Sequence, residues 1–228
     1  TAKVEQATGS NHNDTLDAGK LNEGVVLNGR GGDDIITGTA QGDVLRGGDG
    51  DDEINAGKGN DKIWGHAGND VLNGGAGDDS FFLSDNNGSK DSTAGVDGGA
   101  GDDIVNAKWA TERIVLDLAE ANVEQAIGSN HDDTFLASGQ TQSLNARGGD
   151  DTLGFSGLSA VEKTAVEDEL SDDNDAKLTA IENGERVTIE ALNDLSVRNF
   201  EDVDTSGLTG TPALVLDEFD TSLERIEY

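Results

Sequence analysis

Six aspartates recur at every ninth position: Asp34, Asp43, Asp52, Asp61, Asp70 and Asp79. Each follows a glycine-rich run, as in "GGDGDD" (47–52) and "GHAGND" (65–70), and stands two places before a large apolar residue. Stacking such turns brings like charges side by side, and ordering glycine is entropically costly. Something outside the sequence must offset both costs. Carboxylates held this close need a cation between them.

The elements that must position these aspartates follow from the same spacing. Six nine-residue units run without interruption: "GRGGDDIIT" (29–37), "GTAQGDVLR" (38–46), "GGDGDDEIN" (47–55), "AGKGNDKIW" (56–64), "GHAGNDVLN" (65–73) and "GGAGDDSFF" (74–82). A further unit, "GGAGDDIVN", stands alone at 98–106. The shared form is G-G-x-G-x-D-x-U-x, with U a large apolar residue. Glycine tolerates positive φ, so the first four positions make a tight turn with its carbonyls turned inward. Positions six to nine alternate as a short strand, which sends Ile36, Leu45, Ile54, Ile63, Leu72, Phe81 and Val105 to the interior. Each unit is half a coil, so turns eighteen residues apart stack at strand spacing, about 4.8 Å. One edge then carries Asp34, Asp52 and Asp70, and the other Asp43, Asp61 and Asp79.

The units resemble the repeats-in-toxin (RTX) nonapeptides of Gram-negative bacterial proteins exported by type I secretion. The resemblance covers residues 29–106, with weaker echoes to residue 154. It implies an all-β fold, a right-handed parallel β-roll, with Ca2+ held between stacked turns. The implied ligands are the position-six carboxylates, here the six aspartates above and Asp103, together with backbone carbonyls of both turns. On this sequence those carbonyls belong to Gly29, Gly31, Gly32, Gly47, Gly48, Asp49, Gly50, Gly57, Gly59, Gly65, Ala67, Gly68, Gly74, Gly75, Ala76 and Gly77. An oxygen-only donor set favours calcium over zinc or copper. Pairs eighteen apart give four sites, 34/52, 52/70, 43/61 and 61/79. Seven inward side chains are a small core for so many ordered residues, so folding is expected to require the ion. The expected location is extracellular, secreted or on the cell surface, with the type I apparatus and other domains of a parent chain as partners.

Composition agrees with that reading by what it excludes. With 47 acidic and 15 basic residues the formal net charge is −32, which opposes attraction to nucleic acid or to an anionic membrane. No apolar run approaches the roughly 20 residues that span a bilayer. Cysteine and methionine are both absent, so no disulfide supports the fold and an oxidising environment is tolerated. Hydrophobic residues at 33% and aromatics at 4% would by themselves favour disorder, and the strict nine-residue period overrides that. The opening "TAKVEQATGS" does not look like a secretory signal, and without an initial Met the chain reads as a fragment of something longer.

A phrase is duplicated. "KVEQATGSNHNDTLDA" (3–18) recurs as "NVEQAIGSNHDDTFLA" (122–137), and "NGRGGDDIIT" (28–37) recurs as "NARGGDDTLG" (145–154). The duplication adds Asp14, Asp133 and Asp151 as candidate ligands, with 133/151 at the eighteen-residue spacing of a fifth site. Asp14 and Asp34 are twenty apart, so two extra residues must be absorbed near "KLNEGVV". The expected organisation is a roll over 1–106 with an exposed insertion loop at 83–97, a shorter duplicated roll over 107–154, and an acidic, β-rich, non-repeat capping region over 155–228. In that last region "LTAIENGERVTIEAL", "LSVRNFEDVDTS" and "SLERIEY" read either as rungs without calcium turns or as a separate cap. The spacing of Leu158, Val161, Ala165 and Leu170 predicts one short helix over 158–173.

Other signals are weaker. "DVDTSGLTGTPA" opens like an EF-hand loop at Asp202, Asp204, Ser206 and Gly207, but has Ala213 where that loop needs glutamate, so a plain turn is the better reading. His12, His66 and His131 fall in turns and form no H-E-x-x-H motif. There is no G-x-S-x-G and no cysteine nucleophile, so the chain is not expected to be an enzyme itself. Trp64 and Trp109 offer a sugar platform or, more simply, edge packing. The alternatives to a calcium-folded secretion module are an adhesin or surface-layer segment, binding sugar or a cell surface through 155–228, and the accessory module of a secreted protease, lipase, or alginate epimerase or lyase.

Overall fold

The computed structural model describes residues 5–84, 95–155, 158–171, 187–189, 195–200 and 202–204. Across them the chain winds as a parallel β-solenoid, fitting the right-handed roll expected from its repeats. One face is a sheet ordered β1 (Gln6–Thr8), β3 (Val26–Gly31), β5 (Val44–Asp49), β7 (Lys62–Ala67), β9 (Ser80–Phe82), β11 (Ile104–Asn106), β13 (Gln125–Ile127), β15 (Ser143–Asn145), β18 (Leu195–Arg198) and β17 (Val187–Ile189). The facing side holds two sheets. The first contains β2 (Thr15–Asp17), β4 (Ile35–Thr37), β6 (Glu53–Lys58), β8 (Val71–Ala76) and β10 (Val96–Ala100). The second contains β12 (Val115–Asp117), β14 (Thr134–Leu136), β16 (Thr152–Gly154) and β19 (Asp202–Asp204). Among the described residues, only β17 with β18 pairs antiparallel.

Register explains why this sequence coils. Ile36 pairs with Ile54 across β4 and β6, and Leu45 with Ile63 across β5 and β7, eighteen residues apart in each case. Alternation then buries every position-eight side chain, and all seven named above lie at 2% exposure or less. The two faces meet through these single-file columns, which is why the core is narrow. Further along, Phe135 and Phe200 pack edge to face at 5.7 Å in the buried interior. Near the start, β2 and β4 pair with an offset of twenty (Leu16 with Ile36), and the two extra residues are taken up between β2 and β3, where Leu21 N–H donates to the Ala18 carbonyl.

Several expectations change. The unit at 98–106 does not stand alone: β11 stacks on β9 with Val105 against Phe81, and β10 on β8 with Val96 against Leu72. Both offsets are 24, six more than the usual eighteen, and the ladders continue across them. The loop expected over 83–97 is correspondingly shorter, because Leu83 is buried and Val96 opens β10. Residues 85–94 lie outside the described residues. Within residues 107–154, β13 and β15 continue the ladder begun by β1, while β12, β14 and β16 belong to a sheet separate from the one that ends at β10. Beyond them, β18 pairs with β15 and β19 with β16, so the "LSVR" and "DVD" of "LSVRNFEDVDTS" extend the same ladders. "SLERIEY" lies outside the described residues.

The short helix forms as α1 (Ala160–Ser171). Ser159 and Glu162 cap it reciprocally, with Ser159 N–H donating to Glu162 Oε2 at 2.8 Å and Glu162 N–H to Ser159 Oγ at 3.4 Å. Its buried contact differs from the spacing argument. Val161 is 80% exposed, and Val166 packs inward with Leu158. Leu158 precedes the first helical turn, so it does not set the phase of the helix face.

Candidate metal centre

The aspartates form two buried columns joined by the main chain. Along one edge, Asp14 N–H donates to Asp34 Oδ1 at 2.8 Å, Asp34 N–H to Asp52 at 2.8 Å, and Asp52 N–H to Asp70 at 2.9 Å. Along the other, Asp43 N–H donates to Asp61 at 2.6 Å, Asp61 to Asp79 at 2.8 Å, and Asp79 to Asp103 at 2.7 Å. Asp133 N–H likewise reaches Asp151 at 2.8 Å. One carboxylate oxygen per residue is thereby fixed by the backbone of the preceding turn. What happens to the other oxygen separates two kinds of turn.

In the first kind, positions two and four both adopt positive φ. Gly48 and Gly50 do so at 132° and 129°, and His66 with Gly68 at 75° and 146°. The same geometry forces Arg30 and Arg147 left-handed, at 86° and 82°, which costs a non-glycine residue roughly 1–3 kcal/mol. In these turns the second oxygen, Oδ2, of Asp34, Asp52, Asp61, Asp79 and Asp103 is buried and accepts no hydrogen bond. Loss of solvent pushes the carboxyls up, Asp52 and Asp61 to about 7 and Asp79 and Asp103 to about 6, with neighbouring aspartates adding to the rise. Asp34 moves the same way. A buried, unpaired carboxylate is costly unless a cation meets it.

Main-chain oxygens complete the donor set. A methyl group placed on Gly29 would meet Asp34 Oδ2 and the Gly47 carbonyl at once, and one on Gly74 would meet Asp79 Oδ2 and the Gly98 carbonyl. Carboxylate and carbonyl therefore converge on the glycine of position one. Among the described residues no three His, Cys, Asp or Glu side chains converge on a common point. Such a mixed oxygen set suits calcium and lacks the nitrogen or sulfur donors of a zinc site.

In the second kind of turn, a hydroxyl residue replaces glycine at position two. Thr39 donates to Asp43 through both its N–H (2.6 Å) and its hydroxyl (3.1 Å). Ser10 does the same for Asp14, at 2.5 and 2.9 Å, and Ser129 for Asp133, at 2.6 and 3.0 Å. These donors hold the Asp14 carboxyl below its usual range, whereas burial still raises Asp133. Asp14, Asp43 and Asp133 thus have protein partners where the first kind has none. Thr39→Ala is expected to destabilise the roll by about 1–2 kcal/mol, measured by denaturant melts in saturating calcium. An unchanged midpoint would show that the hydroxyl contributes nothing.

The candidates read from spacing sort accordingly. The pairs 34/52, 52/70 and 61/79 join two turns of the first kind, whereas 43/61 and 133/151 each join one of either kind. The pair 79/103 also joins two of the first kind, and spacing alone hid it behind the 24-residue offset. Glu124, which no motif singled out, ends this column: its Oε2 accepts Asp103 N–H at 2.8 Å.

Against this geometry, the family model of the RTX calcium-binding nonapeptide repeat matches residues 28–63, 46–81 and 96–109, in four copies. The turns that carry Asp34, Asp43, Asp52, Asp61, Asp70, Asp79 and Asp103 lie within the matched RTX repeats. No curated protein matches the chain. An RTX roll is a calcium-binding module, structural in kind rather than a catalytic fold, and the family typically belongs to secreted Gram-negative proteins.

The remaining candidates take structural places. His131 N–H donates to Ser129 Oγ, and His12 N–H to Ser10 Oγ, so both close hydroxyl turns. Trp64 stacks on Phe82 at 4.3 Å beneath Arg46, on the outside of the RTX sheet. Trp109 is 58% exposed beside Lys108. Asp202–Asp204 is strand β19, which replaces the loop start that an EF-hand would require.

Proposed function

We propose that this chain is the calcium-folded part of a secreted or surface protein, and that it holds four principal ions, at 34/52, 52/70, 61/79 and 79/103. The observation that carries this reading is the set of buried Oδ2 atoms without a donor at Asp34, Asp52, Asp61, Asp79 and Asp103, which at Asp34 and Asp79 converge with a main-chain carbonyl. The bound ion supplies charge neutralisation and oxygen coordination. Each aspartate's other oxygen and the N–H of the turn below it hold the turn around it.

Ion binding and folding are then one equilibrium. Extracellular calcium modules are tuned to about 10⁻⁴–10⁻³ M, far above cytosolic calcium. Inside the cell the chain stays unfolded and fit for export by a type I apparatus. Outside, millimolar calcium closes the roll and gives attached domains a rigid base. The chain itself carries no catalysis.

Far-UV circular dichroism at pH 7.5 tests this. In EDTA the spectrum is expected to be that of an unfolded chain, turning to β-structure cooperatively near millimolar calcium. A full β spectrum in EDTA, or sites already filled at nanomolar calcium, would overturn the proposal.

A further inference from the structure

We propose a further calcium site, outside the nonapeptide pattern, between Asp103 and Glu124. It rests on the calcium reading above and extends it to a residue of the duplicated phrase.

The site repeats the arrangement one turn below it. There, Asp79 N–H donates to Asp103 Oδ1 at 2.7 Å, and Asp79 Oδ2 and the Gly98 carbonyl converge on Gly74. One turn up, Asp103 N–H donates to Glu124 Oε2 at 2.8 Å, and Asp103 Oδ2 and the Asn122 carbonyl converge on Gly98. Glu124 stands where an aspartate would stand, and Asn122 supplies the carbonyl. Asp103 is 0% exposed with no donor to its Oδ2, and Glu124 is 9% exposed. Asn122 adopts positive φ, 47°, as the first-kind turns do, and its side chain is tied to Asp97 Oδ1 at 2.8 Å. The main chain closes the same junction, with Gly98 N–H donating to the Ala121 carbonyl at 2.8 Å and Gln125 N–H to the Asp103 carbonyl at 3.0 Å.

The position gives the site a role. On this side of the solenoid, the sheet that ends at β10 and the one that begins at β12 share no ladder. The two halves of the duplication are joined across the other face by β11 and β13, and at this edge by the Asp103–Glu124 column. An ion here welds the halves together. The longer glutamate reaches in from a turn that lacks the glycines of the repeat, which lets a non-repeat segment close the calcium column.

Native mass spectrometry in calcium tests the assignment with Glu124→Gln. The amide oxygen can still accept Asp103 N–H, so the roll is retained, but the second carboxylate is gone. The expected result is one ion fewer than in the parent chain at equal calcium, with the β spectrum preserved. Amide exchange is expected to rise at least tenfold in 125–127 and 143–145 relative to 44–67. An equal ion count with unchanged exchange overturns the site while leaving the four repeat sites standing. Absence of any calcium in the parent chain would instead overturn the reading on which it rests. Should Glu124→Gln fail to fold, Glu124→Asp serves: its shorter reach must weaken one ion's binding, and an unaltered titration rejects the proposal.

Discussion

Asp79→Ala is expected to release two calcium ions, and Asp34→Ala one. Asp79 lies between Asp61 and Asp103 in an unbroken column of RTX turns. Asp34 has an RTX turn only above it, at Asp52, because the turn below is closed by Ser10. Sites with dissociation constants of 10⁻³–10⁻⁴ M each contribute about 1.4–2.7 kcal/mol at 10 mM calcium, so losing two costs roughly 3–5 kcal/mol. Asp61 N–H also loses its acceptor, which adds to the loss. Calorimetry or native mass spectrometry reads the ion count, and denaturant melts in calcium read the stability. Equal losses from the two variants would mean that the column ends at Asp79 and that the coil does not carry ions across the 24-residue offset.

Without calcium, the roll is expected to gain stability as the pH falls from about 7 to about 4. The carboxyls of Asp52 and Asp61 sit at about 7, and those of Asp79 and Asp103 at about 6, raised by burial, against about 3.9 in an unfolded chain. A raised value means that the folded form binds protons more tightly. Its stabilising contribution is complete below the unfolded value and is lost as pH rises through the folded one. Each pH unit between the two is worth about 1.4 kcal/mol per carboxyl. Chelated protein at pH 4.5 should therefore show more β signal than at pH 7.5. The general relief of a −32 charge acts in the same direction. The double variant Asp52→Asn, Asp61→Asn separates the two effects. It keeps most of the acidic surface but should flatten the dependence, and an undiminished slope would assign it to overall charge. Protons and calcium compete for the same oxygens, so calcium affinity should weaken over the same interval.

Much of the site was legible because the repeat is rigid. A nine-residue period with glycine at fixed places allows one way of stacking, so Asp34, Asp52 and Asp70 could be set on one edge and Asp61 and Asp79 on the other before any coordinates. The inward column from Ile36 to Val105 followed from alternation alone. Legibility ended where the period broke. Six extra residues before β10 separated Asp103 from its column in the sequence and not in space. Position two carried a second distinction that the aspartate pattern concealed. A Ser or Thr there turns the loop on itself and satisfies the carboxylate, as at Asp14, Asp43 and Asp133.

Local chemistry, written in the order of residues, is enough to specify a parallel roll, its core and the kind of ion it takes, because each nonapeptide carries its own turn and its own strand. Which carboxylates stand next to one another where the period breaks, that Glu124 closes one column, and that one ladder runs through both duplicated halves are decided only by contacts between turns. Those contacts join residues 18 to 24 apart, and even 53 apart where β18 pairs with β15. The number of residues between two paired strands leaves no mark on their pairing, so folding alone brings them into register.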